Sequence, residues 1–423
     1  MLLDAARPDR IALVGGAVRD WLLHHQHLDP WRGLVDLDLV IEDAAALGTP
    51  AGPVRHDRSS PAWRLVDSLS RAGESLIVRA ARPHGQYGTV ELELEVPTEP
   101  SGAASRPPIR LVLDVASARG EAYPVPAANP VVRFGALEDD LARRDLTINA
   151  MAIDLVSGTL LDSHGGQGDL RARQLRFLHA NSLRDDPTRL VRAARYAARL
   201  GFSLAPESQS QATTTLEAWP WPWRAGDPPN QAPAALGTRL ARELVLLLEQ
   251  ENWRHALGAL QAWGGLSLLD ATLQRDRHWA RRLHWARRFD LPPLLALIAA
   301  AGDPVALAER LRLPQRQGAL LPQLGELRSR LAAGALRQDL AAASPWDWCQ
   351  LLEAPGLSPE AVALALACGL APRRPLLRWL LRWRRLGPEV SARDLLASGM
   401  TPGPQVGERL RRSRKERLDR EPP

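Results

Sequence analysis

Only two cysteines, Cys349 and Cys368, occur in 423 residues, and they do not form a CxxC pair. That argues against a disulfide framework and a thiolate zinc site, and it makes a reducing cytosol the expected compartment. Lysine is nearly absent, since Lys415 stands alone and the positive charge rests on arginine. No stretch supplies the roughly 20 uncharged apolar residues that a membrane span needs. The apolar runs at 244–248 and 294–301 are short and read as buried helix. Asp4, Arg7, Asp9 and Arg10 break up the N-terminus, so no secretory signal is expected there. A cytoplasmic, soluble protein with no membrane partner follows. Neither a GxGxxG dinucleotide fingerprint nor the GK[ST] of a P-loop is found. No serine, cysteine or histidine set suited to nucleophilic catalysis is apparent.

Hydrophobic residues make up 45% and charged residues 24% of the chain, as in a folded protein. The length calls for two to four domains. A net charge of +6 and a pI near 10.2 favour a polyanionic partner, and arginine forks suit phosphate oxygens and base edges. A GC-rich genome that replaces lysine by arginine explains much of the same bias. Local patches therefore carry more weight than the total.

The first third mixes strand and helix signals. Strands are predicted over 11–14, 34–41, 75–80, 89–96 and 109–115, with a helix opening at Val18. Residues 97–108 (PTEPSGAASRPP) read as a long flexible connection. From Asp139 onward the apolar period is 3.6. Leu190, Val191, Ala194, Ala197 and Ala198 mark one face, Leu240, Leu244, Leu247 and Leu248 a second, and Leu291, Leu294, Leu295 and Ile298 a third. The Trp-Pro-rich segment 219–233 reads as a surface connection, and the charged tail 408–420 is expected to be disordered.

Two features of the first third carry chemistry. Gly15-Gly16-Ala17-Val18-Arg19-Asp20 places paired glycines between a strand and a helix. Backbone N–H groups can then approach a phosphate beside a helix N-terminus. Asp36 and Asp38 lie two apart on a predicted strand and share a face, about 7 Å apart along it. Such a pair can grip one metal or bridge two, as in sites that stabilise both oxygens of a phosphoryl displacement. Hard oxygen donors point to Mg²⁺. Asp114, between Leu113 and Val115, offers a third acid. A bare DxD, which is common, reads better as the solvent face of an edge strand, so the glycines matter.

Leu13-Val-Gly-Gly-Ala-Val-Arg-Asp20 with Asp36-Leu-Asp38 resembles the opening motif of the class II tRNA nucleotidyltransferase and bacterial poly(A) polymerase family. The resemblance continues through His84-Gly-Gln-Tyr-Gly-Thr89, Asp114-Val-Ala-Ser-Ala-Arg119-Gly-Glu121-Ala-Tyr123 and Arg143-Arg-Asp-Leu-Thr-Ile-Asn-Ala-Met-Ala152. It extends to Leu161-Asp162-Ser-His-Gly-Gly166, Asp169-Leu170 and Asp185-Asp186-Pro187-Thr188-Arg189. Coverage is dense over 10–205 and looser over 239–248 and 399–407. The resemblance implies an α+β protein. Its head (1–150) is a small mixed sheet with flanking helices, followed by an all-α neck (151–205), body (206–335) and RNA-binding tail (336–423). An HD phosphohydrolase domain is not apparent, and the one adjacent His-Asp pair, His56-Asp57, lies in the first third.

Asp145 and Asn149, four apart, are expected to share a helix face, where a carboxylate and an amide could bond a ribose hydroxyl. The resemblance implies ribose recognition here and a preference for NTP over dNTP. Asp186 and Arg189, three apart, are expected side by side, with Asp185 or Asp186 capping the helix behind Pro187. A carboxylate only accepts and a guanidinium only donates. The pair is thus complementary to cytosine and adenine, which offer an amino donor beside a ring-nitrogen acceptor, and mismatched to guanine and uracil. Each good pairing contributes about 1–3 kcal/mol of discrimination. The family usually has Glu-Asp where this chain has Asp185-Asp186.

The resemblance implies Asp36, Asp38 and Asp114 as catalytic acids, with Asp36 and Asp38 holding Mg²⁺ in a two-metal mechanism. Gly15, Gly16, Arg19, Arg144, Asp145, Asn149, Asp185, Asp186, Arg189, Arg192 and Arg195 would bind the nucleotide. The last two belong to an arginine stripe that otherwise reads as a solvated face. Arg382, Arg384 and Arg385 would hold RNA, with Trp379 and Trp383 either stacking on bases or packing in a core. The implied reaction adds CCA from CTP and ATP to the 3′ end of a tRNA acceptor arm, releasing pyrophosphate. Poly(A) synthesis, CC-only or A-only addition, and a non-catalytic RNA-binding relative are the alternatives. Residues 119–130 retain a segment that the family uses as a flexible loop for the final A, which leans against CC-only addition. The sequence leaves the oligomeric state open.

Overall fold

The computed structural model describes residues 6, 9–31, 33, 37–43, 60–71, 77–84, 88–96, 109–333 and 343–421. Asp36, His56 with Asp57, residues 85–87 and the connection 97–108 lie outside the described residues. The chain divides into two units. One comprises Met1–Arg224, Pro233–Arg239 and Gln250–Gly265; the other comprises Ala225–Ala232, Leu240–Glu249 and Leu266–Pro423.

The first unit is built on β1 (Arg10–Val14), β2 (Leu37–Glu42), β3 (Ile77–His84), β4 (Thr89–Val96), β5 (Ile109–Ser117), β6 (Arg119–Ala122), β7 (Val131–Phe134), β8 (Ala152–Asp154) and β9 (Leu160–Leu161). Seven of these form one sheet in the order β3-β4-β5-β2-β1-β8-β9. β2 and β5 run parallel, and the other neighbours are antiparallel. The class is α+β, as expected.

Alternation along the strands sorts the side chains to two faces. Ile11, Leu39, Ile41, Leu113 and Val115 pack with Ala62, Leu65, Val66 and Leu69 of the helix Pro61–Arg71. Ala12, Val14, Val40 and Ala118 pack on the opposite face with Leu137 and Leu141 of the helix Leu137–Ala142. At roughly 25 cal/mol per Å² of apolar surface buried, these two layers are what hold the sheet against its helices. Asp38 keeps phase with Val40, and Asp114 alternates with Leu113 and Val115. The acids therefore share the face covered by the helix that runs into Arg143 and Arg144.

Four expectations change. Residues 152–154 and 160–161 are strands rather than helix, because β8 completes the open edge of β1, and segments of two or three residues are too short to show a period. Within the 119–130 segment, residues 119–122 are a strand, β6, paired antiparallel with β7, and residues 123–130 connect the two. The Trp-Pro-rich segment is anchored: Trp221 and Trp223 are buried, and Trp221 donates its indole N–H to the Arg184 carbonyl. The charged tail forms the helix Pro404–Asp419, held by fully buried Leu418 and by Arg414, which forks onto Glu353 at 2.7 Å to each oxygen.

In the second unit, Leu240, Leu244, Leu247 and Leu248, with Leu294, Leu295 and Ile298, are buried at the spacing read from sequence. No helix among the described residues is long and apolar enough to cross a membrane.

Candidate active site

β1 delivers the chain into Gly15, whose φ of 72° and ψ of −128° suit glycine alone, and the helix Gly16–His27 starts on the next residue. A Cβ at Gly15 would lie 2.8 Å from Arg144 Nη1 and 3.6 Å from Asp38 Oδ2. Glycine is what lets the turn, the acid and the arginine meet. Asp38 pairs in register with Val14 on one side and with Asp114 on the other. Parallel neighbours stand about 4.8 Å apart, so the two carboxylates lie side by side on one face. Glu91 is next in that row, opposite Asp114, and gives its carboxylate to Arg82 at 3.1 Å. Adjacent acids in such a row repel one another unless cations intervene. Among the described residues no three acids, histidines or cysteines converge as a metal cage. The cluster expected of Asp36, Asp38 and Asp114 is described for its last two members only.

Arg144 is held by Asp140 Oδ2 at 2.9 Å, while Arg143 takes Asp140 Oδ1 at 2.6 Å and Glu121 at 3.1 Å. Asp140 is fully buried. Burial opposes its ionisation, yet the two arginines outweigh that and lower its pKa. Arg19, only 3% exposed, donates to Asp20 and, at 2.7 Å, to Asn149 Oδ1, and its guanidinium lies over the Tyr196 ring. Arg19 thus supports Asn149 from beneath.

Asn149 in turn donates to Asp145 Oδ1 at 3.0 Å, and Arg192 Nε reaches Asp145 Oδ2 at 2.7 Å. Burial works against the Asp145 carboxylate, but Arg192 and the Asn149 amide hold its pKa down at about 2. The two residues meet without the helix expected of them. The helix Leu137–Ala142 has ended, and Asn149 closes a 3₁₀ turn, Thr147–Asn149. Arg195 faces Glu251 at 3.5 Å.

Asp186 and Arg189 take different partners. Asp186 Oδ1 accepts from the Thr188 amide (2.9 Å) and hydroxyl (2.6 Å), capping the helix Thr188–Leu200, and Oδ2 accepts from Arg239 at 2.7 Å. Arg189 donates to the Arg143 carbonyl at 2.7 Å and to His179 Nε2 at 3.4 Å. Both side chains are buried, so each is held in one orientation. Burial raises the pKa of Asp185, with Arg189 and Arg184 opposing.

Residues 92–176 match the poly A polymerase head domain. The chain is 33% identical over 415 residues to a CC-adding tRNA nucleotidyltransferase of Deinococcus radiodurans, covering 96% of this chain and 84% of that protein. This chain belongs to the tRNA nucleotidyltransferase family. An A-adding tRNA nucleotidyltransferase of Aquifex aeolicus is 34% identical over 203 residues, 47% of this chain and 20% of its own length. The fold is similar to that of a CCA-adding enzyme in an apo form, with a TM-score of 0.65 at 21% identity, covering 100% of this chain and 91% of the other.

Two residues of the enzyme escaped sequence reasoning, Arg239 and His179. Arg239 acts 53 residues beyond Asp186, and His179 carries no motif of its own. In the second unit, Trp379 and Trp383 are 2% and 1% exposed, so they pack in the core and their faces are not open to bases. Arg382, Arg384 and Arg385 beside them are exposed; Arg382 pairs with Glu421, and Arg384 donates to the Leu380 carbonyl.

Proposed function

We propose that this enzyme adds cytidylate residues to the 3′ end of tRNA from CTP, without a nucleic-acid template, and releases pyrophosphate. The observation that carries the reading is the meeting of Asp38, Gly15 and Arg144 over the in-register pair Asp38 and Asp114. Asp38, Asp114 and Asp36 would hold Mg²⁺, for which their hard oxygen donors are suited. When bound there, the metal would supply charge stabilisation at the attacking and leaving oxygens. The Gly15-Gly16 turn and Arg144 receive the triphosphate, and Asp145 with Asn149 holds the ribose. Asp186 and Arg189 present an acceptor and a donor to the base edge, a pattern that cytosine and adenine complement. Arg192, fixed to Asp145, and Arg195 contribute positive charge along the same helix. Phosphoryl transfer asks little else of a protein than positioning and electrostatics. Arg382, Arg384 and Arg385 give the tRNA acceptor arm a basic surface, and the cytosol suits the free thiols of Cys349 and Cys368.

Stopping at CC is favoured by the CC-adding relative, which this chain matches nearly end to end, against the A-adding relative matched over a fifth of its length. Completion to CCA is the second reading, favoured by the retained segment that here forms the β6–β7 hairpin. The test supplies tRNA lacking its 3′ end with one radiolabelled NTP at a time. Two residues from CTP and none from ATP after them identify CC addition. One A following CC identifies CCA addition, and long tails from ATP alone identify a poly(A) polymerase. Asp38→Ala and Asp114→Ala abolish incorporation; a fully active Asp38→Ala enzyme would refute the assignment of the acids.

A further inference from the structure

His179 lies in the turn ahead of the short helix Ser182–Asp185, and its backbone is tied on both sides. Its amide donates to Ser182 Oγ at 3.3 Å, and its carbonyl accepts from Gln211 Nε2 at 3.0 Å. The ring is thereby aimed at Arg189, with Nε2 3.4 Å from Nη1, while Nη2 of the same guanidinium reaches the Arg143 carbonyl at 2.7 Å. A guanidinium has no acceptor, so a hydrogen bond between the two requires Nε2 to accept, that is, a neutral ring with its proton on Nδ1. Two acceptors on separate nitrogens fix the plane of the fork as well as its position.

We propose that His179 is the positioning residue for Arg189, holding the guanidinium in the orientation that reads the base and so setting nucleobase selectivity without touching the nucleotide. The inference rests on the reading of Arg189 and Asp186 as the base readers. Among the described residues, the charged or titratable groups that face the ring are Arg189 and His164; Ser182 and Gln211, which bond its backbone, are neutral. Burial, with Arg189 and His164 beside it, pushes the His179 pKa below the ordinary imidazole value. The neutral, accepting ring therefore prevails at neutral pH. It is lost as pH falls through that lowered value, when an imidazolium would repel Arg189. Asp145, at about 2, does not titrate in that range. Asp185, whose pKa is raised, is separated from His179 by the variants below.

The experiment uses the full chain in three forms: natural, His179→Ala and His179→Gln. CTP and UTP incorporation into tRNA lacking its 3′ end and calorimetric CTP binding are measured across about pH 5 to 8, where histidine effects fall. Loss of one hydrogen bond to a charged group predicts that His179→Ala raises the KM for CTP about tenfold and narrows the CTP-over-UTP preference by a similar factor, with kcat changing much less. His179→Gln restores an acceptor that does not titrate. It recovers the preference and removes the fall of kcat/KM on the acid side. A His179→Ala enzyme with natural KM and preference, or an acid fall that persists in His179→Gln, overturns the proposal. Should His179→Ala fail to give a cooperative melt, the acid profile of His179→Gln decides. If the natural protein transfers nothing to tRNA but CTP binding follows this pattern, the transfer reading fails and the positioning role stands. If the natural protein transfers CTP and the variants match it, only the positioning role fails. Absence of both transfer and CTP binding in the natural protein ends both.

Discussion

Gly15 is the residue on which the approach of three segments depends. Its backbone is open to glycine alone, and a Cβ there would drive into Arg144 Nη1 at 2.8 Å. Gly15→Ala is expected to cost about 1–3 kcal/mol of stability, the range for a side chain forced into such a region. It should lower nucleotide incorporation far more than that loss of stability alone explains. Thermal melts and initial rates on the same preparation check this; an alanine variant with the natural rate would show that the close approach is unimportant. The paired glycines were legible from the sequence because strand, turn and helix follow one another locally. The arginine they make room for was legible only as a motif member, since the approach of Gly15 and Arg144 requires the helix Leu137–Ala142 to lie on the acidic face of the sheet.

The β6–β7 hairpin acts as one piece with the segment that carries Asp185 and Asp186. Ala127 at its tip donates to the Asp185 carbonyl at 3.1 Å, and Arg239 bridges Asp186, the Ala128 carbonyl (2.9 Å) and Asn129. Removing Arg239 strips the Asp186 carboxylate and a backbone carbonyl of the same donor. Arg239→Ala is therefore expected to lower stability by about 1–3 kcal/mol, the cost of buried acceptors left unpaired. It should also speed amide exchange across 119–134 and weaken selection of CTP over UTP. Denaturant midpoints, hydrogen exchange and paired incorporation assays read the three effects; unchanged exchange in the hairpin would refute the bridge.

Periodicity explains which elements could be foreseen. Thr89–Val96 alternates cleanly, and Thr188–Leu200 carries a full apolar face, so both were readable. Ala152–Asp154 and Leu160–Leu161 are strands only because β1 has an edge to complete. The helix Pro404–Asp419 looks like a solvated charge run until Glu353 meets Arg414.

Across the whole molecule, the net charge of +6 is carried by arginine, and much of it is engaged in ion pairs. Arg382, Arg384 and Arg385 are exposed, although Arg382 also pairs with Glu421 and Arg384 donates to the Leu380 carbonyl. Replacing these three by serine should weaken tRNA binding at every salt concentration. It should also reduce the slope of log K against log salt by about 1 for each phosphate that is no longer neutralised. The KM for CTP should stay unchanged. Filter binding over a salt series, beside CTP kinetics, tests this; an unaltered slope would remove these arginines from the RNA surface.

Residue order alone determined the α+β class, the glycine turn and the chemical types gathered for transfer, because each depends on neighbours within a few positions. Only tertiary structure decided the pairings. Asp186 goes to Arg239 instead of Arg189, Arg189 goes to His179 and Arg143, and Trp379 and Trp383 turn inward. Charged side chains reach several ångströms and choose among whatever donors the packed helices bring within range. No spacing along the chain encodes that choice.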